Sequence, residues 1–131
     1  MTGNTNPKDK GKIVDWNGHK KLDYWYSEEA NQLKGTDSTM YAPFIAKDDK
    51  LYAFNSEMCR SIYLEYKEDK QLHGMNLYTF HAPHNLFYNS SLNPLSEGYC
   101  SNDCLGNGVQ NISKCYGGES NDNLFFILSQ I

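Results

Sequence analysis

The sequence predicts a mainly β fold with short helices, and three observations carry that prediction. Arg60 to Tyr66 (RSIYLEY) alternates Ile62, Leu64 and Tyr66 against Ser61, Tyr63 and Glu65, which is the period of a half-buried strand. Short aromatic-rich runs are punctuated by turn-forming pairs such as Asn17-Gly18. Three of the four cysteines fall between Gly98 and Cys115 (GYCSNDCLGNGVQNISKC), so a cross-linked loop organises the chain.

In chain order, residues 1 to 10 are polar, lack periodicity and read as loop. Lys12–Trp16 and Lys21–Tyr26 flank Asn17-Gly18 and read as a hairpin with His19 exposed in its turn. Ser27–Leu33 reads as one or two helical turns, with Ser27 as N-cap and Glu28 and Glu29 in the first turn. Gly35-Thr36-Asp37 is a turn, Pro43 marks extended chain, and Asp48-Asp49-Lys50 turns into the strand Leu51–Phe54. After Arg60–Tyr66, the charged Lys67–Lys70 is expected to turn the chain into the partner strand Asn76–Phe80. His81 and His84 form an H-x-x-H pair, but Pro83 opposes the helix that would place both rings on one face. The polar, Gly-rich tail from Tyr116 ends in the apolar run Leu124–Leu128.

Length and composition allow one domain, or part of one, in 131 residues. Ten tyrosines inflate the 39% hydrophobic fraction and imply a wet, half-buried core, because each hydroxyl needs a partner. A net charge of -4 without a Lys/Arg cluster argues against a nucleic-acid partner. No apolar run is long enough to span a bilayer, and the first ten residues lack a signal-peptide core. Hydrolase, zinc-protease, phosphate-loop and dinucleotide motifs are missing, so no catalytic residue, metal or cofactor is assigned and the chain is not expected to be an enzyme.

The cysteines fit disulfides better than zinc, since the C-x3-C pair has no second close Cys/Cys or Cys/His pair. Of three possible connectivities, Cys100 to Cys104 with Cys59 to Cys115 makes one loop local and the other a single long clasp. Asn89-Ser90-Ser91 and Asn111-Ile112-Ser113 are glycosylation sequons, whereas Pro94 excludes Asn93. Cysteines and sequons together indicate an oxidising compartment. The paired Asp48 and Asp49, and the spacing Glu119, Asn121, Asn123, lack the further ligands of a calcium loop.

Several phrases together resemble the ectodomain of the class B scavenger receptors: Asp23-Tyr24-Trp25, Gly35-Thr36-Asp37, Ala42-Pro43-Phe44, Met58-Cys59-Arg60-Ser61-Ile62-Tyr63, and Cys104-Leu105-Gly106 running to Asn111-Ile112-Ser113-Lys114-Cys115. The resemblance covers about residues 11 to 116 and is strongest to the lysosomal branch, leaving 117 to 131 as a divergent tail. It implies the same two bridges and the same two sequons. Ala30 stands where the family often has a cysteine, and Lys34 removes a sequon before Gly-Thr-Asp.

The family resemblance further implies a fragment of an antiparallel β-barrel ectodomain that belongs to a larger glycoprotein anchored by membrane helices outside this stretch. The implied partners are lipids, fatty acids or lipoproteins at the plasma or lysosomal membrane. Two alternatives stand beside this: a lysosomal sorting receptor that binds a hydrolase, and a stand-alone secreted disulfide-bonded β-module. Ile62, Leu64, Leu77 and Phe80 are the strand residues that would face either a lipid tunnel or a packed interior; no ligand contact is assigned.

Overall fold

The computed structural model describes residues 3 to 100 and 104 to 118, together with the backbone of 125 to 127. Its main element is a three-stranded antiparallel sheet in the order β1-β2-β3, formed by Leu51–Asn55, Arg60–Leu72 and Met75–His81. A separate two-stranded ladder pairs β4 (Val109–Asn111) with β5 (Phe125–Ile127). The helices are short 3₁₀ turns at Pro7–Asp9, Pro94–Tyr99 and Ser113–Tyr116. The protein is mainly β, and the sheet is open: among the described residues it does not close into a barrel.

β2 forms from Arg60 to Tyr66 as expected, but its burial does not alternate, Arg60 and Ser61 being buried and residues 62 to 66 all half-buried, and the strand continues to Leu72 instead of turning at Lys67–Lys70. A register shift between Tyr66 and Glu68 leaves Lys67 as an extra residue, after which Glu68 pairs with Thr79 and Leu72 with Met75. The reversal falls on His73 and Gly74, whose φ values of 49° and 80° suit a two-residue hairpin turn. Charged residues are tolerated in the strand because its outer half faces solvent. Ile62 and Leu64 are half-buried, Phe80 likewise, and Leu77 is exposed.

The expected hairpin near the start is reduced to its turn. Trp16 and His19 exchange backbone bonds of 2.8 and 2.9 Å around Asn17-Gly18, but no strands extend from them. Lys21 instead bridges to Gln32. The expected helix at Ser27 is a single turn: the Ala30 amide donates to Ser27 Oγ (3.1 Å) and the Asn31 amide to the Ser27 carbonyl (3.2 Å). Asn31 then folds back, its Oδ1 accepting from the Trp25 amide and its Nδ2 donating to the Trp25 carbonyl. Those bonds satisfy the backbone locally and end the helix.

The core gathers Leu22, Trp25, Ala30, Phe54, Cys59 and Ile112, with Ile13, Trp16, Tyr24, Leu33, Tyr99 and Cys115 packed around them. Gly35 docks this layer on β1. Its φ is +83°, and an added Cβ would lie 1.8 Å from the Tyr52 carbonyl oxygen, so no side chain fits. That close approach lets the Thr36 amide donate to the Tyr52 carbonyl and the Phe54 amide to the Thr36 carbonyl.

Candidate functional site

The hairpin loop between β1 and β2 ends at Cys59, whose residue has no solvent exposure. Met58 N–H donates to Asn55 Oδ1 (2.9 Å), and Cys59 adopts φ 52°, which turns its sulfur toward the segment after β4. There it is bonded to Cys115, with a Cα separation of 6.2 Å. The Trp25 indole N–H donates to the Cys59 carbonyl at 2.7 Å, so one buried residue is tied to two other segments. A second bridge joins Cys100 and Cys104, with Cα atoms 4.9 Å apart. No cysteine is free.

Arg60 follows directly and is 5% exposed. Its guanidinium carbon lies 3.5 Å from the centroid of the Tyr99 ring and 5.0 Å from that of Phe87. Nη1 donates to Gln110 Oε1 at 2.8 Å, and Gln110 Nε2 donates to the Met58 carbonyl at 3.3 Å. Burial pushes the guanidinium pKa down, opposed by its interaction with Tyr99, yet an arginine remains charged at physiological pH. Among the described residues no carboxylate forms an ion pair with it. Sequence pattern alone missed this residue, because a cation at the start of an alternating strand reads as solvent-facing.

The two sequons lie against the cysteine loops. Asn89 Oδ1 accepts from the Ser91 amide and hydroxyl, both at 3.0 Å, while Nδ2 donates to the Cys104 and Leu105 carbonyls at 3.3 and 3.0 Å. Asn111 Oδ1 accepts from the Ser113 amide and hydroxyl at 2.9 and 2.7 Å. Asn93 is buried and structural, donating to the Asn85 carbonyl and capping Leu95 N–H.

A cleft of about 280 Å³ opens on the other side of β1. Tyr41, Pro43, Phe44, Ile45, Leu51 and Tyr52 supply its apolar surface, and Lys8, Lys10, Lys12 and Lys50 stand at it with Asp49. Phe44 is 83% exposed and holds φ 65°. Lys8, Lys10 and Lys12 alternate with Asp9 and Gly11, and Lys50 joins them from the turn before β1, so the sequence shows no uninterrupted basic run.

The remaining sequence candidates are placed as follows. His81 and His84 have ring centroids 5.9 Å apart, edge to face, although no helix joins them. No group of three or more His, Cys, Asp or Glu able to hold a metal ion occurs among the described residues. Asp49 Oδ2 accepts from the Ala46 amide and closes its own turn. Glu119, Asn121 and Asn123 lie outside the described residues. Within the described residues, no helix is long and apolar enough to cross a membrane.

Comparison with known proteins locates this architecture. The profile of the CD36 family matches residues 1–122. Over 104 residues the chain is 44% identical to Scavenger receptor class B member 1 of Mus musculus, covering 79% of this chain and 20% of that protein. Over 120 residues it is 36% identical to Lysosome membrane protein 2 of Homo sapiens, covering 90% of this chain and 24% of that protein. The chain thus spans between a fifth and a quarter of the length of these relatives. With a match over most of its length, the chain belongs to the CD36 family.

Proposed function

We propose that this chain is a segment of the ectodomain of a membrane receptor that binds and transfers lipids or lipoproteins without catalysing a reaction. Family membership over residues 1–122 carries the reading. Residues 11 to 116 form the ectodomain slice, 117 to 131 are a divergent tail, and the strands contribute to a barrel completed by further chain. The segment faces the extracellular space or the lumen, at the plasma or the lysosomal membrane, and carries glycans at Asn89 and Asn111; attachment at Asn89 replaces one Nδ2 hydrogen and so one of its two bonds to the Cys104 and Leu105 carbonyls. The apolar cleft with its four lysines supports the reading, since an amphiphile with an acidic head matches both parts. The test is binding of fatty acids, phospholipids and sterols by the full-length glycoprotein in detergent-free nanodiscs. Saturable uptake of at least one class is expected; indifference to all three refutes the reading.

A second reading is a sorting receptor for a lysosomal hydrolase. The match to Lysosome membrane protein 2 over 90% of the chain favours it. Acid-sensitive capture of a hydrolase without lipid uptake would establish it over the first.

A further inference from the structure

Both ends of the Asn89 amide are in use. Oδ1 accepts from the Ser91 amide and hydroxyl, and Nδ2 donates to the Cys104 and Leu105 carbonyls at 3.3 and 3.0 Å. Its surroundings are stitched to the same stretch: the Asn89 backbone amide donates to Asn107 Oδ1 (2.8 Å), the Ser90 hydroxyl to Cys104 Sγ (3.2 Å), and the Gly108 amide to the Phe87 carbonyl (2.9 Å). The tight bridge brings that stretch here. Cys100 ends the 3₁₀ turn Pro94–Tyr99, which Asn93 anchors by donating to the Asn85 carbonyl and capping Leu95, and the bond to Cys104 fixes the start of the stretch beside it. Asn111 differs. Its Oδ1 accepts from Ser113 in the same way, but its Nδ2 makes no hydrogen bond among the described residues.

We infer that Asn89 is a conditional glycosylation site, filled only in molecules whose oligosaccharide arrives before the Cys100–Cys104 bridge closes. This rests on the ectodomain reading above, since the secretory pathway supplies the sugar donor. Transfer breaks the bond between the sugar C1 and the diphosphate of a lipid-linked oligosaccharide and forms C1–Nδ2, with a proton leaving Nδ2 and the lipid diphosphate released. Closing the bridge takes two electrons and two protons from the Cys100 and Cys104 thiols and reduces a disulfide oxidant of the lumen to its dithiol. A C1 atom about 1.46 Å from Nδ2, aimed along either of its hydrogen bonds, would stand within about 2 Å of a carbonyl oxygen, so the closed turn excludes the sugar. The sugar, once attached, pushes one of the two carbonyls away and slows the closure. Sequence order makes this a race at Asn89 in particular. The bridge spans a separation of only 4, so its ring closes with little loss of chain entropy as soon as Cys104 is made. Ser113 of the other sequon is buried beside a clasp whose separation is 56, and that clasp waits for Cys115, the last of the four cysteines to be synthesised.

The experiment is site-resolved mass spectrometry of the full-length glycoprotein made in mammalian cells. Trypsin leaves 71 to 114 as one peptide, because no Lys or Arg lies between Lys70 and Lys114, so both sequons and both cysteines of the tight bridge are read on one molecule. Free thiols are trapped with N-ethylmaleimide, and peptide N-glycosidase converts each glycosylated asparagine to aspartate, which fragment ions place. Asn111 is expected to be occupied more fully than Asn89. During a pulse-chase, molecules with a glycan at Asn89 are expected to keep Cys100 and Cys104 free for longer. Replacing Cys100 and Cys104 together by serine is expected to raise Asn89 occupancy to that of Asn111 and to leave Asn111 unchanged. Ser91→Thr, a better acceptor sequon that keeps both cysteines, is expected to raise Asn89 occupancy in the wild-type background but not in the serine double variant. Should the double variant misfold and raise both sites, the wild-type pulse-chase still decides. Asn89 occupancy unmoved by loss of the bridge, or bridge closure at the same rate with and without the Asn89 glycan, overturns the inference while Asn111 remains glycosylated. Absence of glycan from both sites in every variant overturns the ectodomain reading with it.

Discussion

Removing each bridge in turn separates the two loops by their length. Replacing Cys59 and Cys115 together by alanine releases a constraint over a sequence separation of 56, and replacing Cys100 and Cys104 releases one over 4. Chain entropy gives about 4 kcal/mol for the long loop and about 2 kcal/mol for the short one. The two constraints thus differ by about 2 kcal/mol. The long clasp carries a further cost: Cys59 is fully enclosed among Leu22, Trp25, Phe54 and Ile112, so alanine leaves a void where sulfur was. Urea unfolding of the disulfide-bonded protein, followed by tryptophan fluorescence, measures both, because Trp25 packs on Tyr99 and bonds the Cys59 carbonyl. The long-clasp variant is expected to unfold at markedly lower urea. Equal midpoints, or a larger loss for the Cys100/Cys104 variant, would refute the argument that the clasp organises the fold.

Three more outcomes can be checked. Gly35→Ala forces a Cβ onto the Tyr52 carbonyl at positive φ and is expected to cost roughly 3 kcal/mol, read as a lower thermal midpoint. Trp25→Phe keeps the aromatic packing but strips the Cys59 carbonyl of its indole donor, with a loss of about 1 to 3 kcal/mol in urea unfolding. Lys47 bonds Asp69 at 2.6 Å and lowers its pKa, so the pair's contribution is present at pH above the usual carboxylate range and lost as pH falls through the depressed value. Acidification from neutrality to about pH 5 should therefore leave the contact intact, with loss only below about pH 4. Asp69→Asn should remove that acid limb, and NMR titration of the Asp69 carboxyl checks it.

Much of the sheet was legible in sequence because Ile62, Leu64 and Tyr66 alternate with Ser61, Tyr63 and Glu65 along β2, although burial does not follow that alternation: Arg60 and Ser61 are buried and residues 62 to 66 are all half-buried. What was hidden follows from interactions that periodicity does not encode. The extent of β2 depended on Lys67 being absorbed as a bulge and on His73-Gly74 taking the turn, so a charged run passed for a reversal. The helical turn at Ser27 stopped because Asn31 found the Trp25 backbone, a contact spanning six residues that composition cannot announce. Arg60 was hidden for the opposite reason: its partners Phe87, Tyr99 and Gln110 lie 27 to 50 positions away, and only the fold brings them to it.

The unequal burial of the clasp gives its chemistry a direction. Cys59 is sealed and Cys115 is only half-buried, so a reducing thiol arrives from the Cys115 side and forms its mixed disulfide there. The sulfur set free is then Cys59, held in place by its neighbours next to the bond just made, and it re-attacks to expel the reagent. Such a joint repairs itself as long as the surrounding layer stays folded, and becomes permanently open only after that layer has come apart.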